Sequence, residues 1–256
     1  GDATSVPLGS ETAGQAGSPF SIIVKLLPYI ESGHVSDKID WNLPAFDSTA
    51  NGTIAPNGNA GLATEKLMAV LCPSYSGALT SGNTTDYQAT TIPALTNYKG
   101  IGATSKIALN TSAIVKASTI SGDGDGGGMI NPYAPTRAPK ATSLTLLTVE
   151  TREPDQAAWY DGSTAALYGV DAGVGPAAKS TINNQHLTGG ETQYDDAWGT
   201  DGMTYGPSSE HPGVIVVSMG DGSARTIGND VSGQVWKALI TKDSADNSAI
   251  SEYFTS

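Results

Sequence analysis

The sequence predicts an α+β protein, with a helix near its start, an antiparallel sheet of short strands with long loop insertions, and a hairpin followed by a closing helix. Three observations carry that expectation. The β-branched run Val214–Met219 leads directly into Gly220-Asp221-Gly222-Ser223, a hairpin turn sequence. Phe20, Ile23, Val24 and Leu27 recur at helical spacing behind Ser18-Pro19, an N-cap followed by proline at the first helical position. Finally, 31 glycines and 14 prolines in 256 residues leave little room for long helices, so turns must fill much of the chain.

Taken in order, residues 1–17 hold almost nothing to bury and read as an exposed N-terminal segment. Residues 18–256 read as one globular domain, since neither a repeat nor a linker interrupts them. The first helix is limited by Pro28. Residues 33–62 are a Gly/Asn-rich connection with anchors at Trp41, Leu43 and Phe46, and the apolar run Leu67–Cys72 stops at Pro73. A surface loop is expected over 74–94 and a strand over Thr96–Ala103. The stretch 104–140 is the most irregular, and Leu144–Val149 reads as a strand. Residues 152–210 form a long polar loop dotted with Trp159, Tyr160, Tyr168, Tyr194, Trp198 and Tyr205. After Val214–Met219, the strand Ala224–Ile227 returns through a type I′ turn at Asp221-Gly222. Asn229 or Asp230 then caps a last helix that buries Val231, Val235, Trp236 and Leu239.

Composition narrows the function classes. With 13 basic and 25 acidic residues the net charge is −12, which repels phosphate backbones and anionic headgroups, so nucleic acid and membrane surfaces are disfavoured partners. The single cysteine, Cys72, excludes an intrachain disulfide and reads as a buried small hydrophobe before Pro73. No run approaches the roughly 18 apolar residues of a membrane helix.

Candidate sites are few. Asp123 and Asp125 alternate within the glycine-rich stretch 121–128 and are the candidate calcium ligands, because hard cations take carboxylate oxygens. The distal Glu of an EF-hand is absent. The formal Gly122-x-Gly124-x-x-Gly127 pattern lacks a following helix, and its carboxylates would repel a pyrophosphate. Glu191, Asp195, Asp196 and Asp201 form a second acidic group beside Trp198 and Tyr205, read as a solvated loop. Asn110-Thr111-Ser112 matches a glycosylation acceptor, a pattern common by chance. His211 and Asp221 bracket one strand, and its six residues alone, at ~3.3 Å each, hold them ~20 Å apart, too far for a catalytic or metal pair. Asp221 and Gly222 are therefore read as turn residues, and His211 as a local hydrogen-bonder that orients the strand. His34, His186 and His211 accompany many serines and carboxylates, yet no nucleophile elbow, His-Glu-x-x-His or paired-cysteine motif joins them.

Several segments resemble a bacterial pseudopilin-like family with a carboxy-terminal signature of His, nine residues, then Asp-Gly. His211-Pro212-Gly213, the strand, Asp221-Gly222-Ser223 and Arg225 carry that signature. Leu26-Leu27-Pro28-Tyr29-Ile30-Glu31, Leu71-Cys72-Pro73-Ser74, Thr96-Asn97-Tyr98, the stretch from Thr142-Ser143 to Glu150-Thr151-Arg152, and Val235-Trp236-Lys237-Ala238-Leu239 match other family segments in order, spanning about residues 18–245. Two departures stand out: the sequence starts after the place where the family carries a prepilin cleavage site and long apolar helix, and Pro139-Lys140-Ala141 replaces an Asp-Gly. The resemblance implies a pilin-like fold with the N-terminal helix packed on the sheet. It also implies export by a type II secretion or type IV pilus-like pathway, an extracellular location, and a non-catalytic role in a filament or surface assembly. Like or related pilin subunits would be the partners, through the missing helix, which would also be the only membrane contact. The alternative expectation is a binding module for extracellular glycans or surface polymers, calcium-dependent and built on the loops between 152 and 210.

Overall fold

The structure, a computed structural model, describes residues 20–48, 57–82, 92–103, 128–130, 141–155, 157–162, 166–168, 206–242 and 250. Its centre is a sheet of β1 (Tyr98–Ala103), β2 (Leu146–Glu150), β3 (Ala166–Tyr168), β4 (Val214–Met219) and β5 (Ala224–Gly228), in the order β3-β1-β2-β4-β5. The pairs β1–β2, β2–β4 and β4–β5 are antiparallel. The short β3 joins β1 in parallel, which corrects a purely antiparallel expectation. Residues 104–165 separate the two parallel strands in sequence, far more than the dozen or so that a parallel connection needs. β3 itself falls inside the stretch 152–210 expected to be loop.

β4 shows why the sheet forms. Its β-branched residues favour extended backbone, and Ile215, Val217 and Met219 are buried while Val214, Val216 and Ser218 are half-buried. Below this face lies α4 (Gly233–Ile240), which buries Trp236, Ala238, Leu239 and Ile240 with Ile101, Leu146 and Val149. A fully buried side chain of this size contributes roughly 1.5–3 kcal/mol, so the helix and sheet stabilise each other. The N-cap of α4 is Ser232, whose hydroxyl accepts from the Val235 N–H at 3.2 Å, and not Asn229 or Asp230. Those two residues are used in turning out of β5, where Asn229 N–H donates to the Gly213 carbonyl.

The first helix is placed differently from the expectation. α1 spans only Ile22–Leu26, capped by Ser21, and passes into a 3-10 turn at Leu27–Tyr29 that contains Pro28. Ser18 and Pro19 lie outside the described residues. Ile23, Val24 and Leu27 pack not into the sheet's core but into a second cluster with Val35, Phe46, Leu67, Trp159 and Tyr160. The helix on the sheet is therefore the C-terminal α4. Two further short helices, α2 (Gly33–Ser36) and α3 (Gly58–Leu62), occupy what the sequence suggested was plain connection. Buried Asn59 holds this region together, receiving from Asp40 N–H at 2.9 Å and donating to the carbonyls of Asp40 and Pro44. No helix among the described residues is long and apolar enough to cross a membrane.

Candidate functional site

Three chain segments meet at the end of β2 that lies near the start of β4. Glu150, the last residue of β2, pairs with Tyr98 of β1 on one side. On the other side, its backbone carbonyl accepts from Ser208 N–H at 2.9 Å, and Thr151 bridges to Pro207, so residues 206–208 run alongside the strand. Ser209 then fixes the next turn by accepting from His211 N–H at 3.0 Å, and Gly213, at φ +74°, lets the chain swing into β4. From a third direction, the turn after the 3-10 helix Met68–Val70 delivers Cys72.

Asn97 locks these pieces in register. Its side-chain oxygen accepts from Cys72 N–H at 2.9 Å, and its amide nitrogen donates to the Thr151 carbonyl at 3.1 Å. Its backbone N–H reaches the Val70 carbonyl, and its carbonyl accepts from Thr151 N–H. Thr96 is taken likewise, its N–H donating to the Ala157 carbonyl and its hydroxyl to the Val70 carbonyl, so β1 starts at Tyr98 and not at Thr96.

The result is a cluster of Cys72, Glu150 and His211. Nε2 of His211 lies 3.4 Å from Cys72 Sγ and 3.6 Å from Glu150 Oε1. One oxygen of the carboxylate, Oε2, accepts from Val216 N–H at 2.6 Å. The other, Oε1, is buried without a hydrogen bond among the described residues, in a side chain only 2% exposed. His211 remains 32% exposed, so the cluster has a route to solvent. An adjoining cleft with room for about one water molecule is lined by Cys72, Tyr75, Glu150, Arg152, Ser208 and Glu210.

Burial pushes the Cys72 thiol up, and the Glu150 carboxylate adds to that, against the opposing pull of the Ser74 and Tyr75 backbone amides. Burial, then the negative charge of Glu150 and Cys72, pushes the Tyr98 phenol up to about 12. The site thus disfavours further negative charge and would welcome a cation. It does not resemble a nucleophilic triad, in which the two nitrogens of one histidine face the nucleophile and the acid separately. Here a single nitrogen faces both partners.

Sequence reasoning treated these residues separately. His211 was expected to bond locally, but its ring reaches across the fold to Cys72 and Glu150. Cys72 is buried, as a small hydrophobe would be, yet its sulfur also meets two polar groups. Nothing in the sequence marks Glu150 as more than the end of a strand. Asp221 and Gly222 stand at the far end of β4, with Asp221 exposed and its Oδ1 accepting from both Ser223 N–H at 2.9 Å and the Ser223 hydroxyl at 2.7 Å. The turn is not type I′: Gly222, at φ +85°, has positive φ and Asp221 does not. Met219 instead pairs with both Gly222 and Ser223 in a three-residue loop with the glycine as its bulge. Asp123, Asp125, His186 and the acidic group at 191–201 lie outside the described residues.

The profile of a protein family described as "Protein of unknown function (DUF1559)" matches residues 3–232. The chain belongs to that family. No curated protein and no solved structure matches it. In this DUF1559 chain the cluster draws one residue from each of three segments that carried the resemblance: Cys72, Glu150 and His211. A fourth segment supplies Asn97 and Tyr98. Their common position in otherwise dissimilar segments was the available signal, and only the fold joins them.

Proposed function

We propose that this chain is a non-catalytic subunit of an extracellular pilin-like surface assembly or secretion pseudopilus, exported through a prepilin-type pathway. The carrying observation is the ordered set of six segments over about residues 18–245, among them the His211 and Asp221-Gly222 signature. The α+β frame suits that role, since the two ends of the signature bracket β4, which joins β2 to the edge strand β5. Leu26 and Tyr29, about one turn apart where α1 gives way to its 3-10 continuation, are 44% and 83% exposed, a placement that neighbouring subunits could cover. The glycan-binding alternative is weakened by Trp159 and Tyr160, which are fully buried and unable to stack on a sugar.

The test is expression of the complete gene product in its own host. The expected product carries an apolar helix of about 20 residues upstream of Gly1, is cleaved only when the prepilin peptidase is present, and sediments with surface filaments. Tyr29→Glu is expected to release it from that fraction while leaving its thermal melt unchanged. A gene product with no such helix overturns the reading.

A further inference from the structure

The geometry points to a divalent transition-metal site, with Zn²⁺ the best-matched ion, formed by Cys72 Sγ, Glu150 Oε1 and His211 Nε2. The three candidate ligand atoms lie within 4.8 Å of one another. Metal–ligand lengths of about 2.0–2.3 Å at tetrahedral angles place neighbouring ligand atoms roughly 3.4–3.6 Å apart. The two resolved edges, 3.4 and 3.6 Å, already have that length. Both converge on one histidine nitrogen, as they must if its lone pair is directed at a shared ion.

A second, independent observation is the state of Glu150. It is 1% exposed, and the oxygen facing the cluster has no hydrogen bond among the described residues, while its sister oxygen is held by Val216 N–H. Burying a carboxylate oxygen without a hydrogen bond is costly, and a cation held between it and His211 supplies what is lacking. A thiolate, an imidazole and one carboxylate suit a borderline-soft, four-coordinate ion. They do not suit calcium, which collects six to eight oxygens. Three protein ligands leave the fourth position for water or an exogenous group on the side of the exposed His211 edge. On binding, the Cys72 sulfur coordinates as thiolate and its proton passes to solvent. The ion would tie together the turn after Val70, the end of β2 and the segment leading into β4.

The test uses the purified chain, stripped with chelator and titrated with Co²⁺. One equivalent is expected to produce a thiolate-to-metal charge-transfer band and intense tetrahedral visible bands, both bleached by one equivalent of Zn²⁺ and indifferent to millimolar Ca²⁺. Cys72→Ser should abolish the charge-transfer band. Glu150→Gln, which keeps the size and an acceptor for Val216, and His211→Ala should each weaken Zn²⁺ about tenfold or more in chelator competition. His34→Ala is the control, because His34 lies 3.9 Å from Glu65 in an exposed pair elsewhere, and it should leave the spectrum unchanged. Circular dichroism of every variant reports folding separately. A folded wild-type chain with no charge-transfer band at one equivalent, or a band that survives Cys72→Ser, overturns the assignment.

Discussion

The two ends of β4 carry the two halves of the same signature, and they are physically opposite. At the His211 end, a buried carboxylate, a buried thiol and a half-buried imidazole from three distant parts of the chain face one point. At the Asp221 end, everything is local: an exposed aspartate bonds to a serine two residues away, and a glycine takes the positive φ the loop requires. One end is tertiary and the other is a turn. Sequence spacing ties them together because a single strand separates them, not because they cooperate. Residues that recur as one pattern can thus answer to different physics, and perturbing each end separates the two.

The largest effect is expected at Asn97. Its side chain satisfies Cys72 N–H and the Thr151 carbonyl, both buried, and each group left without a partner costs about 1–3 kcal/mol. Asn97→Ala is expected to lower stability by roughly 2–5 kcal/mol in urea denaturation and to misplace Cys72 against Glu150. A loss of less than ~1 kcal/mol would mean that the tertiary end of β4 does not depend on this junction.

Gly222→Ala should cost less, about 1–2 kcal/mol, because the added Cβ meets open space and only the left-handed backbone at φ +85° is penalised. The comparison sharpens if that loss appears with the Co²⁺ spectrum of the His211 end unchanged. A change in the spectrum would instead show the two ends to be mechanically coupled through the strand.

These contrasts also mark what the sequence could reveal. The β-branched run and the Asp-Gly turn behind it made β4 legible to the residue, and the apolar spacing of Trp236 and Leu239 made the closing helix legible, because both signals are local. Boundaries failed where a side chain or backbone group was taken by a distant partner. Ser232 displaced Asn229 and Asp230 as cap, and Thr96 and Asn97 left β1 to bond to Ala157 and Val70. Trp159 and Tyr160, expected in a polar loop, fill the second core, where the Trp159 indole donates to the Glu65 carbonyl at 2.7 Å. The Cys72–Glu150–His211 cluster was illegible for the same reason. Residues 72, 150 and 211 have no sequence proximity, and each has an adequate local explanation: a buried hydrophobe, a strand end, a turn before proline. Only the pairing of β1 with β2 and the passage of residues 206–208 alongside β2 bring them together.

The smallest effect distinguishes the exposed end by its pH dependence. Asp221 is held below its usual value of 3.8, first by the Ser223 hydroxyl and then by the Ser223 N–H, both of which favour the carboxylate. The sign follows from linkage. A carboxyl whose folded pKa is depressed contributes stability that is present above its unfolded pKa and is lost as pH falls through the folded value. Asp221→Asn keeps an acceptor for Ser223 but cannot titrate. The wild-type advantage over this variant should therefore be constant near neutrality and fade only in the acid range below the ordinary aspartate pKa. Because the group is exposed, added salt should shrink that advantage. Carboxyl chemical shifts followed by NMR give the direct reading, with the Asp221 midpoint moving up towards its usual value in Ser223→Ala. An Asp221 that titrates normally in the wild type would leave the turn held by the glycine alone. The spectrum of the buried cluster should not respond to either substitution, since no group at the Asp221 end reaches Cys72, Glu150 or His211.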